Sequence, residues 1–152
     1  MRSVFFLLAL AVAFPGAASA VDTGALERMV TCRADAAGPE AETLRERYLA
    51  ASEPPDNPHF YRPSVPMDVF GAEVAYVGFR GYDMAFGPNV VVHGDIDELT
   101  LRIGEHLDLE PEVAEPYRVF DVSSARDYFV ALYPHAGDDG DVVLQCVFVL
   151  SR

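Results

Sequence analysis

Two cysteines, Cys32 and Cys146, stand near opposite ends of the chain, so a fold in which they pair must lay its beginning against its end. Whether they pair depends on the compartment, and the first residues speak to that. Arg2 is a minimal positive region, Val4 to Phe14 is an apolar run of secretory length, and Pro15-Gly16 breaks it. Ala18-Ser19-Ala20 then offers the small residues a signal peptidase requires, which predicts a signal peptide over 1–20 and a mature start at Val21. In an exported chain a lone cysteine pair forms one disulfide. Closing so long a loop contributes about 4 to 5 kcal/mol in the chain-entropy model. A reactive or metal-binding thiol would call for a Cys-x-x-Cys spacing or basic neighbours, and only Arg33 is at hand.

Removal of 1–20 leaves residues 21–152, one domain by length, able to bury roughly two thirds of its unfolded surface. All eleven basic residues of the 152-residue chain are arginine, against 24 Asp and Glu. Only Arg2 is lost with the signal, so the mature net charge is −14. The lack of lysine, with abundant Ala, Gly and Pro, fits GC-rich codon usage, and the expected address is a Gram-negative periplasm rather than the medium. The charge disfavours nucleic acid and anionic membranes, and favours a basic protein or a cation as partner. Nothing after the signal approaches the length of a membrane helix, so no membrane insertion is expected after cleavage.

Hydrophobic periodicity predicts an α+β fold: two N-terminal helices, then a mostly antiparallel sheet of four to five strands with one inserted helix (β-β-α-β-β-β). The first helix, capped by Asp22 or Thr23, carries Leu26, Met29, Val30 and Arg33 on one stripe with Cys32 at its edge. Pro39 starts the second, whose stripe is Ala41, Leu44, Tyr48 and Ala51. Residues 52–66 hold five prolines, which excludes regular structure, but His59, Phe60 and Tyr61 predict an ordered crossing packed on the domain. Val69 to Phe79 alternates as one strand, a Gly-rich loop follows, and Asn89 to His93 is the next strand. Asp95 caps the clearest helix, Glu98 completes a capping-box pair, and Ile96, Leu99, Ile103 and Leu107 form its buried face. Tyr117 to Val122 and Arg126 to Tyr133 read as strands, the second in preference to a short helix. His135 to Asp141 is a hairpin loop, and Val142 to Leu150 is apolar on both faces, which predicts a central strand covered on both sides. Three helices leave Val143, Val147 and Val149 to meet the Pro-rich segment, a second copy, or a partner.

No familiar catalytic motif is present: there is no Gly-x-Ser-x-Gly, His-Glu-x-x-His, phosphate-binding loop or Ser-x-x-Lys. No catalytic residue, cofactor or metal is therefore expected. His93 and Asp95, two apart at a strand end, form a weak candidate for one ion, but Asp95 is wanted as a helix cap. Asp138, Asp139 and Asp141 around Gly140 offer oxygen ligands, yet the same residues suit a turn.

The most distinctive feature is charge. Asp95, Asp97, Glu98, Glu105, Asp108, Glu110, Glu112 and Glu115 are opposed only by Arg102, seven net negative charges in 21 residues. Such a face steers and docks a basic protein, and the partner-binding candidates are Asp97, Glu98, Glu105, Asp108, Glu110 and Glu112, with Tyr82, Met84 and Phe86 as apolar anchors. The size, export signal, single disulfide and acidity resemble those of periplasmic inhibitors and of immunity proteins that neutralise secreted cell-wall toxins, a likeness of general character resting on no motif. The leading expectation is a non-enzymatic exported binding protein. Its rivals are an envelope structural protein that forms a homodimer or larger homo-oligomer, and an enzyme or small-ligand carrier with its site near Tyr76, Tyr82 and His93.

Overall fold

The structure, a computed structural model, describes residues 21, 23–51, 60–82, 85–123, 128–136 and 140–148. The predicted signal peptide over 1–20 lies outside them. Two helices open the domain, α1 (Gly24–Val30) and α2 (Pro39–Tyr48), the second with proline in its first turn as expected. Seven strands follow: β1 (Leu49–Ala51), β2 (Phe60–Pro63), β3 (Asp68–Val69), β4 (Ala72–Gly78), β5 (Gly81–Tyr82), β6 (Ala85–Phe86) and β7 (Asn89–His93). Helix α3 (Ile96–Leu107) precedes β8 (Glu112–Ala114), β9 (Tyr117–Asp121), β10 (Tyr128–Pro134) and β11 (Asp141–Phe148). The fold is α+β, with a larger sheet and a different element order from those the sequence predicts.

The main path of the sheet runs β1-β2-β4-β7-β11-β10-β9-β8, and every pairing along it is antiparallel. The apolar C-terminal strand β11 sits in the middle, between β7 and β10, where its pattern puts it. One face of the sheet meets the helices. Leu26, Met29 and Val30 of α1, Leu44 of α2, and Leu99, Ile103 and Leu107 of α3 pack there against Val74, Val90, Val92, Phe120, Leu132 and Leu144. Cys146 lies on this face of β11 and is joined to Cys32, which follows α1, with their Cα atoms 5.2 Å apart. The disulfide expected from the cysteine count is thus the link between the first helix and the central strand. No helix among the described residues is long and apolar enough to cross a membrane.

Several local readings are corrected. Ala51 belongs to β1 rather than to α2, and Arg33 lies beyond α1, which ends at Val30. Phe60–Pro63 is a strand despite its proline: β4 pairs only with Phe60 and Tyr61, so Pro63 falls where no donor is demanded on that side. Residues 52–59 lie outside the described residues. The predicted strand from Val69 to Phe79 is a hairpin, β3-β4, turned at Phe70 and Gly71, both at positive φ. That is the twist-compatible two-residue turn in which Gly is at home and Phe is not. A register shift between Val74 and Tyr76 then sends Tyr76 to the face opposite Val74. The Gly-rich loop contains the short hairpin β5-β6, and β8, unanticipated, forms one edge of the sheet.

Of the covers expected for the far face of β11, the structure supplies the Pro-rich segment, whose Phe60 packs on Val143. Val143 is fully buried in a second cluster with Phe60 and Val91, covered by Ala75, Tyr76 and Tyr133. Val147 is half-buried, and Val149 lies outside the described residues. Gln145, the one polar interruption of β11, is buried on this far face. It accepts from Tyr133 Oη at 2.7 Å and donates to the Gly87 carbonyl at 3.4 Å.

Candidate functional site

The acidic stretch is organised by α3. Asp95 Oδ1 accepts from the backbone N–H of Asp97 at 3.0 Å and of Glu98 at 2.9 Å, the N-cap predicted from its position. Glu98 does not return the bond as a capping box would. Its carboxylate instead pairs with Arg102, one turn on, and Arg102 also donates to the Phe70 carbonyl at 2.8 Å, tying α3 to the β3-β4 turn. Arg118 of β9, with only 11% of its side chain exposed, bridges Asp97 at 2.9 Å and Glu115 at 3.1 Å. The hydrogen bond Arg118 donates to Asp97, then that to Glu115, raises the Arg118 pKa above its ordinary value. Three of the eight acids are thus matched by two arginines, one of which lies outside the stretch.

The C-terminal half of α3 differs. The helix ends at Leu107, and Asp108 adopts the left-handed conformation, φ 57° and ψ 44°, with its N–H donating to the Gly104 carbonyl. Aspartate is one of the few residues that visits this region at modest cost. The chain then folds back along the helix, and a side chain at position 104 would put its Cβ 3.0 Å from the Leu109 carbonyl oxygen, so glycine permits the close return. The result is a groove of about 490 Å³ between Thr100, Leu101, Gly104 and Glu105 on one wall and Asp108 to Pro111 on the other. Among the described residues Glu105, Asp108 and Glu110 have no ion-pair partner. Leu101 is 71% and Leu109 38% exposed beside them. Glu112 lies farther on, in edge strand β8, where Val113 is also exposed.

The sequence-predicted partner residues therefore separate. Glu105, Asp108 and Glu110 come together at the groove; Asp97 and Glu98 are in ion pairs nearer the start of α3; Glu112 is on the neighbouring edge. Tyr82 and Phe86 lie in β5 and β6, and the sheet order puts β11, β10 and β9 between β6 and β8. Met84 lies outside the described residues. Leu101 and Leu109 were the apolar residues that sequence reasoning missed. Their signal was an apolar residue on the polar side of the α3 pattern and another just past its end.

His93 is not joined to Asp95. Its Nδ1 lies 2.5 Å from Oδ1 of Asp141, the residue directly opposite on β11, while Asp95 is spent on its cap. Among the described residues no three His, Cys, Asp or Glu side chains are grouped to hold a metal. Asp138 and Asp139 of the calcium reading lie outside those residues, and Asp141 is buried in β11 rather than in a loop. Comparison with protein-family models, with curated proteins and with solved structures finds no match to this chain.

Proposed function

We propose that this chain is an exported, non-enzymatic binding protein, of the inhibitor or immunity kind, that docks a basic protein at the groove closing the C-terminal half of α3. One observation carries the reading: among the described residues Glu105, Asp108 and Glu110 surround the exposed Leu101 and Leu109 without an ion-pair partner, whereas Asp97, Glu98 and Glu115 have arginines. Unmatched carboxylates steer a basic surface and fix its register. An apolar anchor seated between them supplies the desolvated contact on which affinity depends. The disulfide is compatible with export, and the apolar leader over 1–20 is the address label that export would require.

The test starts from the oxidised protein recovered from an exporting host. A basic partner is captured from envelope and secreted fractions, and its affinity is then measured by calorimetry at low and high salt. Exchanging Glu105→Arg and Glu110→Arg together is expected to weaken binding by about tenfold or more, with unfolding free energy changed by less than about 0.5 kcal/mol. The same charge change on α2, Glu42→Arg with Glu46→Arg, leaves the groove untouched and serves as control. Equal losses from both pairs would show that net charge alone matters; no loss from the first would remove the groove from the interface.

A further inference from the structure

On the face of the sheet away from the helices, a cleft of about 450 Å³ runs from the end of β2 and the following loop (Arg62 to Pro66) across β4 (Glu73 to Tyr76) to His93 and Asp141. Its size is that of a small-ligand site. We propose that it binds a small zwitterion of dipeptide size, whose ammonium group is taken by His93 and Glu73 and whose carboxylate is taken by Arg62.

One end of the cleft is built to accept hydrogen bonds. Glu73, His93 and Asp141 stand in one row across β4, β7 and β11, each directly opposite the next, and so share a face. Asp141 is only 6% exposed, whereas the His93 side chain is 55% exposed. With the Asp141 carboxylate accepting, the 2.5 Å contact is donated by Nδ1–H of His93. In the neutral ring that arrangement presents the Nε2 lone pair as an acceptor. Among the described residues Glu73 has no ion-pair partner. A ligand ammonium is the group that satisfies both acceptors while offsetting two carboxylates.

The other end is built to donate. Arg62 lies over the Tyr76 ring, 5.1 Å from its centroid, and its Nη2 donates to Tyr76 Oη at 2.9 Å. The stack and the bond orient the guanidinium while engaging one of its five N–H donors, leaving the rest for a carboxylate. A simple anion would meet Glu73 and Asp141, and a simple cation would meet Arg62; a zwitterion meets a complement at each end. The spacing sets its length. Glu73 and Tyr76 are three residues apart on a strand that gives up one step to the bulge, so their backbone positions along β4 are separated by roughly 7 Å. Two extended residues span about that distance. Pro63, Val65 and Ala75 supply apolar walls between.

The oxidised protein from an exporting host is titrated with L-alanyl-L-alanine, and with its N-acetyl and C-terminal amide derivatives, following amide and imidazole resonances by NMR. The expected result is saturable shifts at His93, Glu73 and Tyr76 with the free dipeptide, and affinity lower by about tenfold or more for each blocked derivative. Arg62→Gln, at an exposed position, should erase the preference for the free carboxylate but keep that for the free amine. His93→Gln should weaken the free dipeptide and reduce the preference for the free amine. The absence of shifts at these residues up to the solubility limit, or equal binding of all three compounds, would overturn the proposal. Far-UV circular dichroism of both variants establishes that any loss is not one of fold.

Discussion

The two sides of the sheet are held together by different physics. The helix side is a broad apolar layer in which Leu26, Met29, Ile103, Phe120 and Leu144 are all but fully buried, and it is locked by the disulfide between Cys32 and Cys146. The far side has a small cluster of Phe60, Val91 and Val143, and beside it polar groups: Gln145 bonded to Tyr133, and Asp141 bonded to His93. Apolar burial is non-directional and stabilises a fold wherever it occurs. Buried polar groups are costly unless their partners are in place, and so they fix geometry where geometry matters. The difference assigns scaffold duty to the helix side, with charge displayed on its outer surface by α3, and leaves the far side free to carry a cleft.

The largest test of this contrast is the disulfide. Replacing both cysteines, Cys32→Ser with Cys146→Ser, is expected to cost about 4 kcal/mol in chemical unfolding, because the link closes a loop of 114 residues in sequence separation. A cost below about 1 kcal/mol would mean that packing of α1 alone fastens the helix side.

Next comes a matched pair of core truncations. Ile103→Ala removes a fully buried side chain of α3 from the large layer and should cost about 3 kcal/mol. Val143→Ala, fully buried in the small cluster, should cost about 1.5 kcal/mol, near the transfer value of the atoms lost. Should the two prove equal by denaturant titration, the far side is packed as tightly as the helix side and the contrast fails.

What the sequence disclosed follows the same division. Helix α3 was legible because its cap at Asp95 and its apolar spacing are local, and β11 was legible because a run such as Val142-Val143-Leu144 has nowhere to go but the middle of a sheet. The β3-β4 hairpin was missed because Phe70 keeps the strand alternation going while Gly71 supplies the turn, and the following bulge moved Tyr76 across to the other face. The excess acid was plain in the sequence. Which acids are free was not, since Arg118 reaches Asp97 from 21 residues away and does so only once β9 lies beside α3. The pairing of His93 with Asp141, 48 residues apart, likewise depends on a strand register that no local pattern encodes.

The smallest effect lies at the exposed end of β9. Asp121 Oδ1 accepts from Ser123 Oγ at 2.5 Å and from the Ser123 backbone N–H at 2.9 Å. These bonds, the side-chain one foremost, hold the Asp121 pKa below its ordinary value. A carboxyl whose folded pKa lies below its unfolded one contributes stability above the unfolded value and loses it as pH falls through the folded value. Ser123→Ala removes the hydroxyl donor and leaves the backbone one, so the variant should be slightly less stable than the parent at neutral pH. The gap should close as the solution is acidified past the folded value, where Asp121 is protonated in both states. Thermal unfolding of the two proteins across that range measures it. A gap that persists at the acid end would mean that Ser123 acts through the shape of the turn, and that the charge-assisted bond contributes nothing at the sheet's far side.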